Sequence, residues 1–209
     1  NPLTLRGSGL GFLDLDVVTN FDTLTIDDMD PDSDGTWVLS GSATFPGAGG
    51  VTLNDGAVLF QETTSFTGGT TFTMADDTVF VISIDPGGTT GRLDVDGAVT
   101  LGMNTRLATV FAAPILSSQT FTILTSAASI TGSFAEIPDP TALLTFSVNQ
   151  TATEIELSIL RASYGSVADT PNQGAVGEYL DRVLLGSPGG EIQAVLSELD
   201  AIVDPALLR

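Results

Sequence analysis

The sequence predicts an all-β fold: a parallel β-helix (a solenoid), closed by a C-terminal β cap and followed by a short α-helical tail. Two observations favour the solenoid. Apolar and polar residues alternate as in strands up to residue 160, and a weak repeat recurs between glycine-rich turns. A switch to helical periodicity near residue 169 predicts the tail. Because short strands with glycine turns are also typical of a β-sandwich, that fold is the alternative.

The first predicted domain, residues 1–118, consists of the repeated rungs. Three stretches align within it, 51–59, 72–80 and 99–107, at offsets of 21 and then 27 residues. Repeats of this length with strands and glycine turns are typical of solenoids. Each rung of a parallel β-helix stacks on the previous one at the spacing of paired strands, about 4.8 Å.

The second predicted domain, residues 119–162, is an antiparallel β cap. Its predicted strands follow one another closely, at 120–125, 130–135, 143–148 and 154–160. An open solenoid end exposes unpaired backbone groups, so a cap would protect it. Because local hairpins close at low entropic cost, we expect folding to begin here.

The third predicted domain, residues 163–209, is a helical linker. Thr170, Pro171 and Gln173 form a capping box, with Thr170 at the N-cap and Gln173 at the third helical position. Gly186 is expected to end this first helix, and a second helix is expected to follow.

Composition restricts the possible functions. The chain contains twenty-six acidic residues, six arginines and no lysine, so its net charge is −20. Such a chain is repelled by nucleic acid and by anionic membrane surfaces, and it attracts divalent cations or basic partners. The absence of cysteine excludes disulfides and thiolate metal sites. The absence of histidine excludes a Ser-His-Asp triad within the chain.

An acidic loop suggests calcium, the one cofactor that the sequence indicates. Asp30, Asp32 and Asp34 precede Gly35 at the spacing of the first half of an EF-hand loop. Position 12 of that loop would be Gly41 and not the usual glutamate, so a complete EF-hand is absent. A solvated acidic turn is the alternative interpretation.

Paired carboxylates raise the question of sugar chemistry, because glycosidases place two acids beside the scissile bond. Three pairs recur at a spacing of two residues: Asp14/Asp16, Asp94/Asp96 and Glu154/Glu156. Each pair is predicted on the face opposite the apolar one, as expected for a solvent-exposed strand face. We therefore predict no catalysis in this chain.

Several segments resemble the passenger domain of autotransporters, the proteins of type V secretion. They are Asn20–Leu24, Gly35–Gly41, Gly97–Leu101, Phe121–Leu124 with Ile130–Phe134, and Asn172–Val176. In order, these resemble passenger repeats, a glycine-led rung, the terminal autochaperone region and the start of the helical linker. The resemblance covers about residue 20 to Arg209.

The resemblance implies a right-handed β-helix, export to the bacterial cell surface or beyond, and assembly that starts at the C-terminal end. It also implies a partner, the protein's own outer-membrane barrel, expected after Arg209. The predicted function is that of a structural stem that assists its own folding and export. One alternative is a calcium-stabilised adhesin, surface-layer or extracellular matrix protein that forms homo-oligomers or surface assemblies. Another is a polysaccharide-active β-helix enzyme.

Overall fold

The computed structural model describes residues 1–27, 35–47, 49–135, 137, 141–186 and 190–200. Within these residues β-strands dominate and helices are few. The first strands are β1 (Pro2–Arg6), β2 (Leu10–Asp14), β3 (Thr23–Asp27), β4 (Thr36–Ser40), β5 (Ser42–Thr44), β6 (Val51–Leu53), β7 (Ala57–Phe60), β8 (Thr63–Thr67) and β9 (Phe72–Met74). The later ones are β10 (Val79–Ile84), β11 (Arg92–Val95), β12 (Val99–Leu101), β13 (Arg106–Phe111), β14 (Gln119–Ser126), β15 (Ile130–Thr131), β16 (Leu144–Gln150) and β17 (Glu154–Arg161). The helices are α1 (Pro171–Leu185) and α2 (Glu191–Asp200), with short 3₁₀ helices at Leu15–Val17 and Tyr164–Val167.

The strands form three sheets. Sheet A has the order β1-β3-β6-β9-β12-β15, sheet B the order β2-β4-β7-β10-β13, and sheet C the order β5-β8-β11-β14-β17-β16. From β3 to β14 the chain visits sheets A, B and C in turn. Neighbouring strands pair in parallel throughout sheets A and B, and from β5 to β14 in sheet C. The prediction of an all-β fold built on parallel strands is therefore confirmed at this level.

The register of sheet A reproduces the repeat found in the sequence. Val51 pairs with Phe72, and Phe72 pairs with Val99. In sheet B, Val79 pairs with Ala57, one residue away from the position that the sequence alignment gives. The turn before β10 thus holds one residue more than the turn before β7. The short turns between sheets absorb the difference, because strand pairing fixes the register only within a strand.

The core of the β region is built from the inward side chains of the three sheets. In β9, β10 and β11, buried positions alternate with partly exposed ones. Phe66 of sheet C contacts Phe72 of sheet A, with ring centroids 5.8 Å apart, and Phe60 contacts Phe80 within sheet B at 5.0 Å. Each fully buried ring contributes about 1.5–3 kcal/mol of hydrophobic stabilisation.

The start of the predicted antiparallel cap differs from the expectation. β14 pairs in parallel with β11, and β15 pairs in parallel with β12. The physical reason is that both strands have inward apolar residues in register with earlier rungs: Leu124 lies beside Leu93 and Ile130 beside Val99. Both strands therefore continue the parallel sheets.

The chain separates into two compact units. The first comprises Asn1–Ala113, Phe121–Ile137 and Val148–Leu157, and the second Pro114–Thr120, Pro138–Ser147 and Ser158–Arg209. Three strands, β14, β16 and β17, contribute residues to both units. The domain boundaries predicted from the sequence, after residues 118 and 162, stay predictions.

The first helix of the second unit begins as the sequence predicts. The Thr170 side chain accepts a hydrogen bond from the Gln173 backbone N–H, the Gln173 side chain accepts one from the Thr170 backbone N–H, and Pro171 opens α1. Gly186 is the C-cap. Leu143, Tyr164 and Leu196 form a small buried cluster, and apolar residues of both helices pack against it, among them Leu180 and Leu199.

Candidate functional site

The predicted calcium ligands Asp30, Asp32 and Asp34 lie outside the described residues, so calcium binding at this loop stays a prediction. Among the residues that the structure describes, no three histidine, cysteine, aspartate or glutamate side chains come together as a metal site.

The outward face of sheet C holds a group of polar side chains that are joined by hydrogen bonds. Arg92 Nη2 donates a hydrogen bond to Asp94 Oδ2 at 2.5 Å, and the Thr125 hydroxyl donates to Asp94 Oδ1 at 2.6 Å. On the same face, Thr122 donates to Glu154 Oε1 at 2.8 Å. A shallow cavity of about 310 Å³ beside these residues is lined by Ser65 and Thr67 among others.

Arg92 is held as a cation and is unsuited to act as a base. The hydrogen bond to Asp94 is the main cause that raises the pKa of Arg92 above its ordinary value, and the negative charges of Asp94 and Glu154 act in the same direction. Partial burial opposes this shift without cancelling it. Arg92 is thus committed to an ion pair and does not suit the role of a base in a polysaccharide-active enzyme.

The other carboxylates of the predicted pairs accept hydrogen bonds from backbone N–H groups or from a neighbouring side chain. Asp16 Oδ1 accepts a hydrogen bond from the Ser42 backbone N–H at 2.8 Å, and Asp96 Oδ2 accepts one from the Gly68 backbone N–H at 3.1 Å. Asp14 accepts from the Asp16 backbone N–H at 3.0 Å and caps the 3₁₀ helix Leu15–Val17. Glu156 accepts from the Asn149 side chain at 3.1 Å. Asp16 lies in that 3₁₀ helix and not on the strand predicted for it, so the two aspartates do not share a strand face.

The second unit contains a buried polar cluster that sequence reasoning missed: Arg161, Tyr164 and Asp200. Arg161 Nη2 donates to Asp200 Oδ1 at 2.7 Å, and the Tyr164 hydroxyl donates to the same oxygen at 2.5 Å. The Arg161 guanidinium lies 5.2 Å from the centre of the Tyr164 ring, within cation–π distance. The side chains of Arg161 and Asp200 are only 5% and 14% exposed. Nearly forty residues separate Arg161 from Asp200 in the sequence, so no local pattern could reveal this pair.

The pKa values of Tyr164 and Arg161 are both raised in this cluster, and burial acts in opposite directions on the two groups. Burial raises the pKa of Tyr164, and the hydrogen bond and negative charge of Asp200 raise it further. Burial alone would lower the pKa of Arg161, but the hydrogen bond and charge of Asp200 outweigh it, so that pKa is raised as well. The cluster therefore fastens the end of β17, the 3₁₀ helix and α2 together. Truncating Arg161 or Asp200 would leave a buried charge without its partner.

A cavity in the second unit is lined by residues of α1, of the 3₁₀ helix and by Leu199 of α2. It measures about 500 Å³, and Tyr164, Val167, Val176 and Leu180 line part of it. Its exposed lining is mostly apolar, and its polar members are Tyr164, Thr170, Asn172 and Gln173.

The outward face of sheet A carries a column of threonines that are in register along the whole sheet. Its members are Thr4, Thr25, Thr52, Thr73, Thr100 and Thr131. Threonine suits this position because it is β-branched and polar, which favours the outer face of a strand. The column marks the same position of each successive strand.

Neither the known family models nor the curated proteins give a match to this chain. Among the described residues, no helix has both the length and the apolar character needed to cross a membrane.

Proposed function

We propose that this chain is a right-handed parallel β-helix that acts as the structural stem of an autotransporter passenger on a bacterial cell surface. The observation that carries the proposal is the succession of strands through sheets A, B and C with parallel pairing from turn to turn. In a β-helix each turn provides the template for the next, which gives a long, repetitive support without a specialised site.

The use of the polar groups supports a structural role in preference to catalysis. Asp14, Asp16 and Asp96 accept backbone hydrogen bonds, and Asp94 pairs with Arg92. A glycosidase instead needs one carboxyl group free to hold a proton and a second one free to act beside it. We therefore favour the stem over a polysaccharide-active enzyme.

The arrangement at the C-terminal side of the β region supports assisted folding. β14 and β15 extend the parallel sheets, while β17 and β16 follow β14 in sheet C. Once formed, β14 and β15 offer strand edges with which the strands of the preceding rung can pair. The segment 119–160 would therefore act as the folding template. The proposed partner in export is the protein's own outer-membrane barrel.

Surface display tests this proposal. The chain is fused to the barrel of an established autotransporter, and antibody labelling and protease resistance are measured on intact bacteria. Deleting residues 119–160 should abolish protease-resistant display. The matched control deletes residues 51–71, one whole turn, because Val51 and Phe72 occupy equivalent positions. That variant should still be displayed. Full display of a protease-resistant chain lacking 119–160, or equal loss in both deletions, would contradict the proposal.

A further inference from the structure

The outward face of sheet B departs from the pattern of the other two faces. Sheet A presents its column of threonines, and sheet C presents serine, threonine and charged residues. In sheet B the equivalent outward column is apolar across all five strands: Phe12, Val38, Leu59, Val81 and Ala108. Outward positions of a sheet that faces only water are normally polar, so this column indicates a face that is covered where its members are buried and open to a contact where they are exposed.

The apolar column is most accessible at β2. Phe12 is 67% exposed and its neighbour Leu10 is 63% exposed, whereas Val38 and Leu59 are buried. A cavity of about 440 Å³ opens beside Phe12, and we call it the sheet B groove. Its lining consists of Phe12, Leu13, Asp14, Val38, Ser40, Gln61, Glu62 and Thr89.

The charged groups of the groove are both negative. Asp14 and Glu62 lie at its rim, both are exposed, and no ion pair of the described residues involves either of them. The groove thus combines an apolar floor with two carboxylates and with hydrogen-bonding groups of Gln61 and Ser40. Lysine and arginine side chains match this combination, because their apolar stems cover apolar surface while their charged heads reach carboxylates.

We propose that the sheet B groove binds a basic, apolar segment of another protein, one in which lysine or arginine alternates with aliphatic side chains. The stem of a basic residue would lie on the exposed Phe12 ring, and its head would pair with Asp14 and Glu62. The Phe12 ring adds a cation–π contact at the exposed end. A second copy of this chain is a poor occupant, because each copy carries a net charge of −20 and has no lysine to offer.

Peptide titration tests the proposal. The probe is a ten-residue peptide of alternating lysine and leucine, and the controls replace lysine by glutamate or leucine by serine. Backbone amide NMR shifts of the full chain locate binding, and calorimetry measures affinity. We expect shifts at residues 10–14, 38–40 and 59–62, at least tenfold weaker binding of the lysine–serine peptide, and no binding of the glutamate–leucine peptide.

Charge-matched variants distinguish peptide binding at the groove from nonspecific attraction of the peptide to an acidic chain. The double variant Asp14→Asn with Glu62→Gln should weaken binding of the lysine–leucine peptide about tenfold or more, since a rim carboxylate pair is lost. Asparagine keeps an oxygen that can still cap the 3₁₀ helix. The control, Glu178→Gln with Glu198→Gln, removes the same charge from exposed positions of α1 and α2 and should leave affinity within twofold. Equal weakening in both double variants would overturn the proposal, as would shifts spread evenly over all acidic faces.

Zero-length crosslinking gives an independent readout. The chain contains no lysine, so a carbodiimide that joins carboxylates to lysine amines reports contacts with the peptide and is almost free of self-crosslinks. Adducts should concentrate on Asp14 and Glu62. Adducts mainly on other carboxylates, or a concentration-dependent dimer of this chain in sedimentation that excludes the peptide, would contradict the assignment.

Discussion

At the scale of single residues, burial gives ordinary side chains unusual proton affinities. The Tyr164 hydroxyl donates a hydrogen bond to Asp200, and the Arg161 guanidinium lies over the Tyr164 ring. Burial raises the pKa of Tyr164, and Asp200 raises it further. The folded chain therefore holds the tyrosine proton more firmly than the unfolded chain does. An identical tyrosine on the surface would not couple folding to alkaline pH in this way.

The sign of this coupling gives a prediction at alkaline pH. Above about pH 10, the ordinary tyrosine value, unfolded Tyr164 ionises while folded Tyr164 stays protonated. The stability that it contributes is fully present below that pH and is lost as the pH rises towards the raised pKa. Tyr164→Phe should therefore flatten the fall of the melting temperature between about pH 10 and 12.

Circular dichroism across this pH range measures the effect. The control is Tyr179→Phe, which removes the other tyrosine, a side chain 56% exposed on α1, and should leave the fall unchanged. Parallel melting curves for the wild type and Tyr164→Phe would show that Tyr164 is not the coupled group.

At the scale of elements, several features could be predicted because their cause is local. The strands β6 and β12 read apolar-threonine-apolar, so both the strand and its inward face follow from alternation. The start of α1 follows from the capping box at Thr170 and Gln173. The single-residue shift before β10 could not be predicted, because turn length is decided by how the flanking strands pair.

Two glycines of α1 illustrate how packing overrides helix propensity. A Cβ on Gly174 would meet nothing within 4 Å, whereas a Cβ on Gly177 would lie 2.6 Å from the Gly165 nitrogen and 2.7 Å from its Cα. Gly177 thus lets α1 approach the 3₁₀ helix closely. In the sequence the two glycines look equivalent.

The same substitution should therefore have opposite effects at these two positions. Gly174→Ala should stabilise the protein by about 0.5–1 kcal/mol, because alanine loses less conformational freedom in a helix. Gly177→Ala should destabilise it by about 1–3 kcal/mol, because the clash is with backbone atoms that cannot rotate away. Chemical denaturation followed by helical circular dichroism measures both. Shifts in the same direction would contradict the packing at Gly177.

At the scale of the whole molecule, the sequence predicted the β-rich class and the parallel repeat, since both depend on short-range periodicity. It predicted an antiparallel segment from residue 119, where β14 and β15 instead pair in parallel, because strand direction depends on distant partners. The Arg161–Asp200 pair escaped prediction for the same reason. The apolar outward column of sheet B also needed the register, which assigns each residue to a face.

We propose that this chain is a stem whose C-terminal β strands serve as the template for the rest. The most direct measurement is pulsed hydrogen exchange during refolding of the full chain from denaturant, read out residue by residue. We expect amides of β14 to β17 to gain protection before those of β1 to β4. Earlier protection of β1 to β4, or simultaneous protection of all strands, would contradict it.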